Sequence, residues 1–135
     1  MSQKPETVFY TAVHKLLPKT VYHEKMHNPY RGGTPDVWYS GNKDDLWVEY
    51  KYIKAPPKKA EIHVRKQLSP LQLKWLDERY EEGRNVAVIL GTPLGSLFFE
   101  SRTWNSVAVT ADYITKYGLT KRQVADWIAS KTSIQ

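Results

Sequence analysis

An α/β fold is predicted by three features of the sequence: an amphipathic segment near the N-terminus, a central pair of β-rich segments, and a later apolar run. These give the order αβββαββ, followed by a helical C-terminal region. The first helix spans about residues 6–17. Val8, Phe9, Ala12, Val13, Leu16 and Leu17 recur at helical spacing until Pro18 ends it. Thr20 to Met26 leans to strand through Val21 and Tyr22, then Asn28, Pro29 and Gly32-Gly33 break it. Two antiparallel strands follow, Asp36 to Tyr39 and Leu46 to Ile53, with turn residues Ser40-Gly41-Asn42-Lys43 between them. Ser69-Pro70-Leu71-Gln72 starts the next helix, with serine as N-cap, proline at the first helical position and glutamine placed for a capping box; the helix runs to Gly83. Val86-Ala87-Val88-Ile89-Leu90 suits a strand buried on both faces, with a shorter strand, Leu97 to Glu100, beside it. The C-terminal extension, about residues 104–131, is predicted helical over 104–117 and again from Thr120 to about Ser130, where Thr120 and Gln123 repeat the capping-box pattern.

The 135 residues supply one core rather than two, so a single domain is expected, with its core over about residues 6–100. Hydrophobic residues make up 41% and charged residues 25%, which fits a globular chain and argues against disorder. No cysteine is present, which excludes disulfides and thiolate metal sites. Neither an apolar signal-peptide core nor a membrane-length apolar run occurs, so a cytoplasmic protein with no membrane partner is expected. The net charge of +6 and pI near 9.4 favour a polyanionic partner, with nucleic acid the first choice. Five basic residues, Lys54, Lys58, Lys59, Arg65 and Lys66, stand against the single acid Glu61 beside Pro56-Pro57, which describes a cationic loop.

Strand alternation places Glu49 and Lys51 on one face, and a hairpin can bring Asp36 opposite them. Val48 and Tyr50 then point to the other face. Spacing alone leaves open an ordinary ion pair on an exposed sheet, but two carboxylates and an ammonium in otherwise apolar strands need pairing, solvation or a cation. A second pattern, His23-Glu24-Lys25-Met26-His27, matches H-E-x-x-H formally. That zinc-protease motif works only on a helix. Here β-branched residues precede it, and on a strand the two histidines stand about 13 Å apart, too far to share one zinc ion. A polar strand end is the better description, with His27 or Arg31 available to a phosphate. Trp38 and Trp47 are candidate stacking residues, although tryptophans on such strands more often belong to the core.

Gly33-Thr34-Pro35-Asp36, a hairpin, and Val48-Glu49-Tyr50-Lys51, with a helix before and a Ser-x-x-Gln helix after, resemble the signature of PD-(D/E)xK nucleases. The order is most like the virus-type replication-repair nuclease group (VRR-NUC) and is similar to archaeal-type Holliday junction resolvases, over about residues 6–90. The resemblance implies a restriction-endonuclease-like αβββαβ core with a mixed central sheet flanked by helices. It implies that Asp36, Glu49 and the Tyr50 backbone carbonyl hold Mg²⁺ or Mn²⁺, and that Lys51 orients or helps deprotonate the attacking water. Glu6 matches a first-helix acid and Gln72 a helix glutamine near the metal; each has a simpler role open to it, in the first helical turn and in the capping box. The implied activity is hydrolysis of DNA phosphodiester bonds by an endonuclease selective for branched, flapped or junction DNA, with Arg31, Lys54, Lys58, Lys59, Arg65 and Lys66 against phosphates. A homodimer is compatible with it. Other possibilities are a sequence-specific homing or restriction enzyme, a non-catalytic DNA-binding module and, least of all, the zinc protease.

Overall fold

The computed structural model describes residues 3–27 and 32–134. Its centre is a five-stranded sheet in the order β1-β2-β3-β5-β6, from β1 (Tyr22–Lys25), β2 (Val37–Ser40), β3 (Asp45–Tyr52), β5 (Val86–Thr92) and β6 (Gly95–Phe99). Neighbours are antiparallel except β3 and β5, which run parallel. A parallel pair needs a crossover. This one contains the short strand β4 (Ile62–His63), a 3-10 turn at Val64–Gln67 and helix α2 (Pro70–Glu81).

Side-chain alternation divides the core into two layers. Val37, Tyr39, Leu46, Val48, Tyr50, Ala87 and Ile89 pack beneath α1 (Pro5–His14) and α4 (Lys121–Thr132). Val86, Val88, Leu90 and Phe99 face the opposite way, toward Leu76 of α2, Trp104 and Ile114 of α3 (Ala111–Tyr117). All seven residues of β5 are buried, as its apolar run predicts. Both expected capping boxes form, Ser69 with Gln72 and Thr120 with Gln123. Each is worth about 1 kcal/mol and fixes where its helix begins.

Three expectations need correction. The helix predicted over 104–117 is only its second half. Ser101 and Arg102 take left-handed backbone, Thr103–Asn105 forms a 3-10 turn, and Ala108–Val109 is a strand, β7, paired with β4. The Thr110 side chain accepts from the Tyr113 N–H, so α3 starts only at Ala111. The cationic loop is likewise structured in its second half, where buried Ile62, Val64 and Leu68 anchor it while Lys54, Lys58, Lys59, Arg65 and Lys66 stay exposed. Finally, α1 ends at His14, ahead of Leu17.

Candidate active site

The geometry of the site begins with the approach of its loops. Gly33 has a φ of 94°, and a Cβ there would strike the Leu71 carbonyl oxygen in the first turn of α2. Only glycine fits such a contact, so the segment leading to Asp36 closes directly on the helix that carries Gln72. Asp36 then stands just before β2. The β2–β3 ladder runs from Ser40↔Asp45 to Val37↔Val48. Beyond it, the Tyr50 N–H donates to Asp36 Oδ2 at 2.8 Å, so a side chain takes over where main-chain pairing stops.

Glu49 and Lys51 share the α2-side face, as alternation requires, and Val48 and Tyr50 face the α1 and α4 layer. Glu49 is only 3% exposed. Its Oε2 accepts from Gln72 Nε2 at 3.0 Å and lies 3.5 Å from Lys51 Nζ. Its other oxygen, Oε1, is buried and meets no donor among the described residues, while a proton on Glu49 is shared with the Asp36 side chain. Burial, then the negative charge of Asp36, push the Glu49 carboxyl up to about 8, with Lys51 opposing. The Asp36 carboxyl is also raised, first by burial, against the Tyr50 N–H bond that favours its charged form. Glu6, half-buried in the first turn of α1, adds negative charge that raises it further.

Gln72 forms the capping box and also reaches Glu49. Its Oε1 accepts from the Ser69 N–H, completing the capping box, while Nε2 donates to Glu49. One side chain ties the start of α2 to the buried carboxylate. Lys51 is partly exposed and faces outward from the same oxygen.

The remaining sequence candidates fall elsewhere. Lys54 lies two residues past the end of β3; Arg65 Nη1 donates to Asn105 Oδ1 at 2.6 Å. Arg31 lies outside the described residues. His23 and Glu24 are in strand β1 and His27 is in the segment after it, so no helix carries H-E-x-x-H. Trp38 and Trp47 are half-buried and stacked on each other, with ring centroids 5.9 Å apart, and Trp47 packs on the α2-side core. What the sequence did not disclose is the role of the Tyr50 N–H as the anchor of Asp36. The only signal was proline followed by an acid at a strand start.

Among the described residues, no cluster of three or more His, Cys, Asp or Glu side chains is placed to hold a metal. The donor set is two carboxylates, Asp36 and Glu49. The upward-shifted carboxyls describe a buried acid pair that keeps a proton for want of positive charge, which fits a hard cation that takes the proton's place and completes its shell with main-chain, water and phosphate oxygens.

No protein-family model matches the sequence, and no curated protein does. Among solved structures, the chain is similar to Hjc, a Holliday junction resolvase from the archaeal hyperthermophile Archaeoglobus fulgidus. The match has a TM-score of 0.52 and covers 91% of this chain and 97% of that one, at 18% sequence identity. The fold is restriction-endonuclease-like. The mixed five-stranded sheet has helices on both faces and carries the carboxylates at the end of the β2–β3 pair away from its hairpin. Among the described residues, no helix is long and apolar enough to cross a membrane.

Proposed function

We propose that the chain is a divalent-cation-dependent DNA endonuclease of PD-(D/E)xK type, selective for branched, flapped or junction DNA and most like VRR-NUC enzymes in sequence pattern. The observation that carries this reading is the convergence of Asp36, Glu49 and Gln72 at one largely buried point beside partly exposed Lys51, with both carboxyls raised for want of positive charge. The likeness of the fold to a Holliday junction resolvase supports it.

Asp36, Glu49 and the Tyr50 carbonyl would hold Mg²⁺ or Mn²⁺, which when bound supplies charge to the scissile phosphate and lowers the pKa of water. Gln72 holds Glu49 Oε2 in place. The Tyr50 N–H holds Asp36 Oδ2. Lys51, beside Glu49 and open to solvent on its other side, orients the attacking water or helps remove its proton. Glu6 adds negative charge near Asp36 and strengthens the call for a cation. Exposed Lys54, Lys58, Lys59, Arg65 and Lys66, with Arg31, contact phosphates and so contribute affinity with little sequence preference. Paired cuts on a four-way junction need two sites, which a homodimer would supply.

The test is a panel of linear, nicked, flapped and four-way DNA incubated with Mg²⁺ or Mn²⁺. Cation-dependent cleavage near the branch point is expected. Cleavage at one sequence in linear duplex would favour a restriction or homing enzyme, and binding with no cleavage under either cation would leave a DNA-binding module.

A further inference from the structure

Behind β3, on the face away from the carboxylates, three side chains form a buried hydrogen-bonded chain. Tyr50 Oη lies 2.6 Å from Tyr39 Oη, and Tyr39 Oη lies 2.7 Å from His14 Nε2. Both tyrosines are almost wholly buried, and Phe9 and Tyr10 of α1 close over the Tyr50 ring. Leu46, Val48 and Ile89 fill the same layer without polar atoms. Phenylalanine could supply the packing at 39 and 50, so burial alone does not call for the hydroxyls. What they add is a directional restraint between strands and helix.

The direction of the chain follows from proton counting. If Tyr50 donates to Tyr39 and Tyr39 donates to His14, every hydroxyl hydrogen has an acceptor. In the reverse sense the Tyr50 hydrogen would have none among the described residues. That order needs a neutral His14 with Nε2 free to accept. Burial, then the neighbouring His23, whose ring centroid is 4.1 Å away on β1, lower His14 to about 4 and keep it neutral.

Each member of this chain belongs to an element that carries part of the candidate site. Tyr50 sits between Glu49 and Lys51, and its own N–H holds Asp36. Tyr39 lies on β2, three residues beyond Asp36. His14 ends α1, whose first turn carries Glu6. We propose that the His14–Tyr39–Tyr50 chain positions the site from the opposite face of the sheet, by fixing the Tyr50 peptide against Asp36. These are positioning residues; none touches the carboxylates with its side chain. Their effect on cleavage rests on the nuclease reading, whereas their effect on the Tyr50 peptide does not.

The test combines amide hydrogen exchange at Tyr50, read by NMR, with single-turnover cleavage in Mg²⁺ and thermal melting. In Tyr39→Phe or Tyr50→Phe the Tyr50 amide should exchange about tenfold faster as the local restraint is lost. Cleavage should slow by about tenfold, the scale of a small misplacement of reacting groups. The double variant should be no worse than either single one, because one chain is broken once. His14→Gln, whose side-chain oxygen can accept from Tyr39, should stay near wild type, whereas His14→Leu should behave like Tyr39→Phe. Val13→Ala, in the same helix and fully buried, should lower the melting temperature without accelerating exchange at Tyr50. Unchanged Tyr50 exchange in folded Tyr39→Phe and His14→Leu, whatever the melting temperature, would overturn the proposal. If the tyrosine variants do not fold, the Gln and Leu variants of His14 decide it alone. A wild-type protein that cuts no DNA would refute the nuclease reading, and exchange would still decide the restraint.

Discussion

Strands β3 and β5 lie side by side, parallel and in register, yet one carries charge where the other carries aliphatic side chains. Glu49 pairs with Val88 and Lys51 with Leu90 on the same face of the sheet; Glu49 is as buried as Val88, whereas Lys51 is partly exposed beside buried Leu90. Val88 and Leu90 pack into the α2-side core, while Glu49 is buried beside them with its carboxyl raised by burial and by Asp36. The architecture accepts aliphatic residues at this level, so the acid and the lysine are not demanded by the fold. A buried acid with incomplete partners costs stability, which the proposed cation would offset.

The sharpest way to break this contrast is to make β3 copy β5. Glu49→Val with Lys51→Leu should abolish cleavage while raising stability by about 1 kcal/mol, the low end of the range for buried ion pairs replaced by apolar packing, because Lys51 is partly exposed. A denaturant melt beside a cleavage assay checks it. A less stable double variant would mean that the charged pair is structural.

A smaller effect separates the two charges. Lys51→Ala removes no cation ligand, so calorimetric cation binding should persist while single-turnover cleavage slows by about two to four orders of magnitude. Loss of cation binding together with activity would place Lys51 in the structure of the site, not in its chemistry.

The contrast also has a pH signature. A glutamate in the unfolded chain titrates near 4.5, whereas Glu49 in the folded protein holds its proton up to about 8. Between those values the folded state binds more protons, so the cation-free protein gets its full stabilisation from this group below about pH 4.5. That contribution declines as the pH rises toward 8. Melting temperatures without cation should therefore fall from pH 6 to pH 8.5. Mg²⁺ should restore more at the higher pH, and Glu49→Gln should flatten the slope. Equal slopes in wild type and variant would contradict the raised pKa.

The smallest effect lies outside both strands. Neutralising Lys58 and Lys59 should weaken binding to all DNA sequences alike and reduce the log-log salt slope by about one unit per lost contact. An unchanged slope would put the DNA on another surface.

Much of this contrast was legible in the sequence. Alternation in β3 placed Glu49 and Lys51 together and sent Val48 and Tyr50 to the other face, and the unbroken apolar run of β5 announced burial on both sides. Ser69 and Gln72 announced the start of α2 because capping is local chemistry. The pairing of β4 with β7 was not legible, since two-residue strands carry no period and their partner lies more than forty residues away. Nor was the meeting of Tyr39, Tyr50 and His14. The sequence contains nine tyrosines, and nothing local says which of them share a buried hydrogen bond. Gln72 shows a different limit: its local pattern was complete as a helix cap, and only the tertiary approach of Glu49 reveals the second bond from the same side chain.

The central claim is that Asp36 and Glu49 form a cation-dependent cleavage centre, and single-turnover cleavage by folded Asp36→Asn in Mg²⁺, with calorimetric cation titration alongside, tests it most directly. Removing the formal negative charge should weaken cation binding and slow cleavage together, by about three orders of magnitude in rate, the scale of losing one main electrostatic contributor. A folded Asp36→Asn protein that cuts DNA at the wild-type rate would contradict the account.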